Sequence, residues 1–249
     1  MAMEVRDGMN KIVVTIGPGH TLREAARRMA EHNVGAAVVF DLAPLGRFDA
    51  RPTPAMGYDA CAAAVAEPVE GSVGAGTGAT LGKVAGPGGS MKGGIGVGSA
   101  EADGVVVAAL AVVNALGDVH DETGRIVAGA RDTQGRFIDS AAWIARGAGE
   151  GAGFDELTGR STTLGVVCTN AALDRVALSS LARAATAALY RRITPVGTPF
   201  DGDVVFATAP IDGGVAASGA QIEALAVRAL ERAIERGVRT RAPGDVLSR

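Results

Sequence analysis

The sequence predicts an α/β protein, and three observations carry that prediction. Runs of β-branched residues alternate along the chain with segments of helical periodicity, the pattern of strands covered by helices. Gly- and Pro-punctuated loops separate them. Hydrophobic residues make up 47% of the 249 but aromatics only 4%, so the core must be built from Ala, Val, Leu and Ile.

Residues 11–39 read as strand, helix, strand. KIVVTI is a β-type run and GPGH a turn; Thr21 caps a helix, with Glu24 three residues on completing a capping box. Leu22, Ala25, Ala26 and Met29 form the apolar stripe, and VGAAVVF returns as a strand. Residues 41–57 are loop and 58–66 a short helix. The tract 71–99 is glycine-rich, and the 36 glycines of the chain are about twice average usage. Clustered glycine marks tight turns or close backbone approach. VVVAALAVVNALGDV at 105–119 reads as a long buried strand ending in a turn. Residues 120–160 are polar and irregular, with one short helix around Ala141 to Ala145. TLGVVCTNA at 163–171 is another buried strand. A helix carrying Ala177, Leu181, Ala184 and Ala188 follows, then the strand DVVFATAP at 203–210. The last helix buries Ile222, Leu225, Ala226, Ala229 and Ala233, with Gly237 as its stop signal.

A net charge of −3 and a pI near 5.7 argue against a nucleic-acid partner. No segment approaches 18 consecutive apolar residues, so no membrane span is expected. The N-terminal MAMEVRDGMNK has no apolar stretch after a basic region, so no secretory signal is expected. Cys61 and Cys168 lack metal spacing and fit a reduced, cytoplasmic setting. Cys168 reads as a small core residue rather than a nucleophile. His20, His32 and His120 have no partners at metal spacing, and Tyr58 and Trp143 read as packing residues. No metal and no cofactor is expected.

Four places remain where chemistry could sit: Lys83 in LGKVAG, Asn114 in VVNALGDV, the threonines of RSTTLGVV, and Asp201 and Asp203 in TPFDGDVVFA. A phosphate loop around Lys83 fails on spacing, with Thr77 where a glycine is required and Val84 where Ser or Thr should follow. Each place also has a bland reading. A Ser-Thr-Thr run before a strand is usually loop, two Asp flanking Gly make a turn, Asn114 could cap a turn, and Lys83 could be a solvated charge.

Taken in order, GAGTGATLGKVAG, KGGIG, VVNALGDV, STTLGVVCTNAAL and TPFDGDVVFATA resemble the L-aminopeptidase/D-esterase family, which includes β-peptidyl aminopeptidases and nylon-oligomer hydrolases. The resemblance covers about residues 36–240. It implies a four-layer αββα sandwich of the N-terminal-nucleophile type that cuts its own chain between residues 161 and 162. Thr162 would then be nucleophile and, through its new α-amine, its own base. By the same resemblance Asn114 supplies an oxyanion donor, Lys83 lowers the amine's pKa, and Asp201 and Asp203 orient the nucleophile and amine. The implied substrate is a small peptide or related amide, and the implied assembly a homo-oligomer.

The chain departs from the family's pattern in three places. The residue before the nucleophile is Ser161 where Asn is usual, and Phe40 stands where many relatives carry a tyrosine. The wording of residues 11–39 resembles instead the opening of a CBS (cystathionine-β-synthase-type) domain, a short βαβ segment in place of the family's longer N-terminal part. This divides the chain into a fragment at 1–39 and an amidase-like domain at 40–249. Two other readings stand beside the hydrolase: a catalytically incomplete scaffold with a structural, oligomeric role, and a regulatory module binding an adenosyl ligand.

Overall fold

A computed structural model describes residues 15–16, 38–39, 53–63, 68–147, 161–210 and 214–239. The chain forms two compact units, Met1–Pro68 and Val69–Arg249.

In the first unit β1 (Thr15–Ile16) and β2 (Val38–Val39) pair in parallel, with Thr15 opposite Val38 and Ile16 opposite Val39. Parallel neighbours need a crossover connection, as the strand–helix–strand reading requires; the helix expected there, and Phe40, lie outside the described residues. Helix α1 (Pro54–Ala62) begins four residues before the expected 58–66. Pro54 takes the first helical position, where its missing N–H costs nothing. The Thr53 hydroxyl accepts the Met56 N–H at 3.2 Å and caps the turn. Tyr58 is 57% exposed; it is not the packing residue expected of it, because the apolar residues of α1 do not gather on one face.

The second unit is a mixed α/β fold. In chain order it contains β3 (Thr80–Leu81), β4 (Met91–Lys92), β5 (Gly94–Ala102), β6 (Val105–Val113), β7 (Asp118–His120) and β8 (Ile126–Ala128). There follow α2 (Ser140–Ala145), β9 (Leu164–Thr169), α3 (Arg175–Ala185), α4 (Ala187–Arg192), β10 (Ile193–Thr194), β11 (Val204–Thr208) and α5 (Gly219–Arg239). The main sheet has the order β11-β9-β6-β5, antiparallel except for the parallel pair β9 and β11. A smaller sheet runs β10-β7-β8, and β3 pairs with β4. β5 and β6 are joined by Asp103 and Gly104, both at positive φ (51° and 78°), as a two-residue hairpin turn that follows the sheet's twist requires.

Helix α5 is the main support of this sheet. Its buried side is Ile222, Leu225, Ala226, Val227, Ala229, Leu230, Ala233, Ile234 and Gly237, and it lies on Gly94, Gly96 and Gly98, alternate residues of β5. A side-chain carbon placed on Gly96 would stand 2.2 Å from the Ala233 carbonyl oxygen, and one on Gly98 would stand 2.2 Å from that of Ala229. The glycines of KGGIGVG therefore let the helix backbone rest directly on the strand. Gly237 is not the helix stop the sequence suggested, because α5 continues to Arg239. There it belongs to the contact, its own added carbon falling 3.0 Å from the Gly94 carbonyl.

Two further expectations are corrected. The stretch 105–119 is not one strand: β6 ends at Val113, and Asn114 leads into a turn before β7. Nor are β6 and β9 buried on both faces. Val105, Val107, Ala109 and Ala111 are buried, while Val106 is 37% exposed and Cys168 of β9 is exposed, because among the described residues helices cover one face. Cys168 is thus no core residue, although partial burial still raises its thiol pKa.

Candidate active site

The second unit brings Lys83, Asn114, Ser161, Thr162 and Asp203 together. Lys83 opens a 3-10 turn, Lys83–Ala85, anchored where the N–H groups of Gly82 and Lys83 donate to the carbonyls of Gly117 and Leu116, each at 3.0 Å. Gly82 has φ 66°, and an added carbon would lie 2.0 Å from the Ala130 nitrogen. The residue before the lysine must therefore be glycine. Val84, Leu116 and Ala130 form a small buried cluster behind the turn, with Trp143 and Phe200 packed on it.

Lys83 is only 4% exposed, which removes the reading of a solvated charge, since a buried ammonium needs partners. Its Nζ donates to Asn114 Oδ1 at 2.8 Å and to Ser161 Oγ at 3.5 Å. Asn114 Oδ1 also accepts the Thr80 N–H at 3.1 Å. Both neighbours are donors, so the atom facing them must be the carboxamide oxygen. The amide NH2 is thereby turned the other way, as an oxyanion donor needs.

Thr162 is held by its backbone: its N–H donates to the Asn114 carbonyl at 2.7 Å, and the preceding Ser161 carbonyl accepts the Gly202 N–H at 2.8 Å. Its Oγ1, like those of Thr80 and Thr163, is buried without a hydrogen-bond partner among the described residues, so no such bond there competes for it.

The two aspartates part company. Asp203 Oδ1 accepts the Thr163 N–H at 2.7 Å, whereas Asp201 Oδ2 accepts from the Thr198 N–H at 3.0 Å and the Thr198 hydroxyl at 2.7 Å. Asp201 therefore closes the turn before β11 and reaches the site through its charge. Burial pushes the Asp203 carboxyl up to about 6; the negative charge of Asp201 adds to this, while the Thr163 N–H and the Lys83 charge oppose it. Sequence reasoning gave no role to Thr163 or Gly202. Both are defined by the parallel pairing of β9 with β11, which joins residues some forty positions apart.

The folded chain holds the Asp203 proton to higher pH than the unfolded chain. Ionising it therefore costs stability, and the loss develops as pH rises from about 4 to about 6 and persists above. Asp203→Asn, which keeps an acceptor for Thr163, should gain on the wild type by on the order of 2 kcal/mol across that window. Urea unfolding at pH 4, 5, 6 and 7 reads the difference, and a flat one would show that Asp203 ionises as an ordinary carboxyl.

No group of three or more potential metal-ligating residues occurs among the described residues. No described helix is long and apolar enough to cross a membrane.

The model of the family described as Peptidase family S58 matches residues 4–241, a span that takes in the segment 11–39. The chain is 39% identical over 198 residues to an uncharacterized aminopeptidase of Mycobacterium tuberculosis, covering 74% of this chain and 54% of that protein. It is 39% identical over 189 residues to one of Mycobacterium leprae, covering 71% and 49%. The chain thus spans about half the length of the curated relatives it matches. Among solved structures, an L-aminopeptidase D-Ala-esterase/amidase of Ochrobactrum anthropi, described as a variant of the Ntn hydrolase fold, is similar at TM-score 0.52 and 20% identity, over 86% of this chain and 59% of that one. The PH0078 protein of Pyrococcus horikoshii OT3 is similar at TM-score 0.50 and 20% identity, over 74% and 48%. At these identities the likeness is one of fold.

Proposed function

The chain belongs to peptidase family S58, and from that premise we propose that it is an autoprocessing N-terminal-nucleophile hydrolase of the aminopeptidase type. It cuts itself between Ser161 and Thr162 and then releases N-terminal residues from small peptides or related amides, in the cytoplasm, without metal or cofactor. One observation carries this reading. Four separate stretches of sequence meet at Ser161–Thr163: Lys83 Nζ reaches Asn114 Oδ1 and Ser161 Oγ, the Asn114 carbonyl holds the Thr162 N–H, and Asp203 holds the Thr163 N–H, while the Thr162 hydroxyl is buried and without a hydrogen-bond partner among the described residues.

A threonine hydroxyl needs a base to become a useful nucleophile. The cut supplies one, an α-amine with an unperturbed pKa of about 7.7–8.0. The positive charge of Lys83 lowers that value, so more of the amine is free at neutral pH. Asp203, ionised above about pH 6, attracts the ammonium that forms when the hydroxyl proton is taken. The Asn114 NH2 donates to the oxyanion of the tetrahedral intermediate. The helix α5 laid on the β6–β5 side of the main sheet fits one αβ half of the four-layer sandwich.

Intact mass spectrometry after incubation at neutral pH tests the proposal. Two chains, residues 1–161 and 162–249, together with hydrolysis of an aminoacyl p-nitroanilide, are expected; a single uncut mass without hydrolysis refutes it. Asn114→Ala should lower kcat by roughly 10²–10³, the loss for one oxyanion donor; a wild-type kcat would remove Asn114 from that role. The catalytically incomplete scaffold is the second reading. It is favoured by the outer face of the main sheet, where Val106, Val204 and Phe206 are 37%, 37% and 49% exposed. It predicts the uncut mass.

A further inference from the structure

We propose that Gly202 is the backbone oxyanion donor of the self-cleavage step, and that its lack of a side chain makes the room in which the Thr162 hydroxyl attacks. The inference rests on the processing reading above and concerns a residue that reading leaves without a role.

Two independent contacts meet at this glycine. Its N–H donates to the carbonyl oxygen of Ser161 at 2.8 Å, the carbonyl of the bond to be cut. A side-chain carbon added at Gly202 would stand 2.9 Å from Thr162 Oγ1, closer than such carbons tolerate. So the same residue touches the acceptor oxygen and borders the attacking one. Ordinary ladder pairing explains the first contact in part, since Ser161 and Asp201 form an isolated parallel bridge beyond the end of β9. It does not explain the second, nor why the next N–H in line, that of Thr163, is given to the Asp203 side chain.

The geometry suits the chemistry. A hydrogen bond to a carbonyl lies near the plane of the group, while a nucleophile approaches from its face, so the donor does not obstruct the attack. In the first step Thr162 Oγ bonds to the Ser161 carbonyl carbon and the C–N bond breaks. The hydroxyl proton ends on the Thr162 nitrogen, which becomes the α-amine. As the carbonyl oxygen takes on negative charge, the Gly202 N–H already points at it and needs no reorganisation. Water then adds to the ester: its OH joins the Ser161 carbon, leaving a carboxylic acid, and its hydrogen returns to Thr162 Oγ.

The test follows cleavage of the full chain by intact mass. Glycolic acid placed at position 202 by nonsense suppression replaces the N–H by an ester oxygen with almost no change in volume. The cut should slow by roughly 10²–10³-fold, the usual loss for one donor. The same replacement in the uncut Thr162→Ala chain should leave its melting temperature within a few degrees. A ladder bond alone predicts a lowered melting temperature with cleavage unchanged, and that result overturns the inference. Gly202→Ala keeps the donor but fills the hydroxyl's space, and should cut roughly 10²-fold slower, as a misplacement of about an ångström does; cutting at the wild-type rate overturns the second half. If the wild-type chain is never cut, the processing reading falls and this one with it. A wild type that is cut beside an ester variant cut equally fast sinks this inference alone.

Discussion

Replacing Thr162 by alanine is expected to leave one chain of 249 residues where the proposed processing would give two in the wild type. The expectation rests on what the substitution removes and what it leaves. Gone is the hydroxyl that would attack the Ser161 carbonyl. Retained are the backbone bonds on either side, Thr162 N–H to the Asn114 carbonyl at 2.7 Å and Gly202 N–H to the Ser161 carbonyl at 2.8 Å. Because Thr162 Oγ1 has no hydrogen-bond partner among the described residues, its removal orphans no other group there, so unfolding stability should change by no more than about 1 kcal/mol. A lost cut in a stable chain is therefore a chemical result and not a folding failure. Thr163 is the internal control: its Oγ1 is also buried and unpartnered, but its N–H is held by Asp203 at 2.7 Å. Thr163→Ala should still be cut at 161–162. Cleavage of Thr162→Ala at that bond, or a wild-type cut one residue later, would move the nucleophile elsewhere.

The sequence made some of this site legible and hid the rest for a physical reason. Lys83, Asn114 and Thr162 each stand in a short, distinctive stretch, and the ordered series of stretches pointed to their convergence. What each side chain does on arrival depends on pairings that no local stretch encodes. Asp201 and Asp203, i and i+2 on one segment, were expected to act together; instead the turn captures Asp201 through Thr198. The fold divides in the same way. The 3.6-residue stripe of Ile222, Leu225, Ala226, Ala229 and Ala233 revealed α5 because helical periodicity is local. Whether apolar β6 was covered on one face or two depends on its neighbours, and periodicity is silent on that. Gly237 shows the same limit. A glycine near a helix end signals a stop, unless a strand elsewhere, here Gly94 and Gly96, requires close approach.

That close approach makes Gly96→Ala the stability change with the largest expected effect. The added carbon would lie 2.2 Å from both the Ala233 carbonyl oxygen and the Gly237 nitrogen, and 2.7 Å from the Gly237 Cα. All three are backbone atoms of α5, so no side chain can rotate away. Relief requires α5 to move off β5 by about an ångström, or β5 to buckle. Either movement opens gaps beside Leu225, Leu230 and Ile234, which are buried in the same core, and close-packed interiors lose dispersion contacts steeply with separation. Overpacking alone costs about 1–3 kcal/mol, and a whole-helix displacement should push the loss beyond about 3 kcal/mol. That is a large part of a domain's usual margin of about 5–15 kcal/mol. For a unit of this size it corresponds to a fall in Tm of at least about 6–12 °C. Gly219→Ala, on the same helix with nothing within 4 Å of its added carbon, should leave Tm unchanged or slightly raised. Gly237→Ala should fall between them, because the same substitution gains roughly 1 kcal/mol of helix propensity against contacts of 3.0–3.2 Å. Thermal unfolding of the three variants ranks them directly. If Gly96→Ala melts with Gly219→Ala, the helix does not rest on the glycines of β5, and the packing described for the second unit is wrong at its centre.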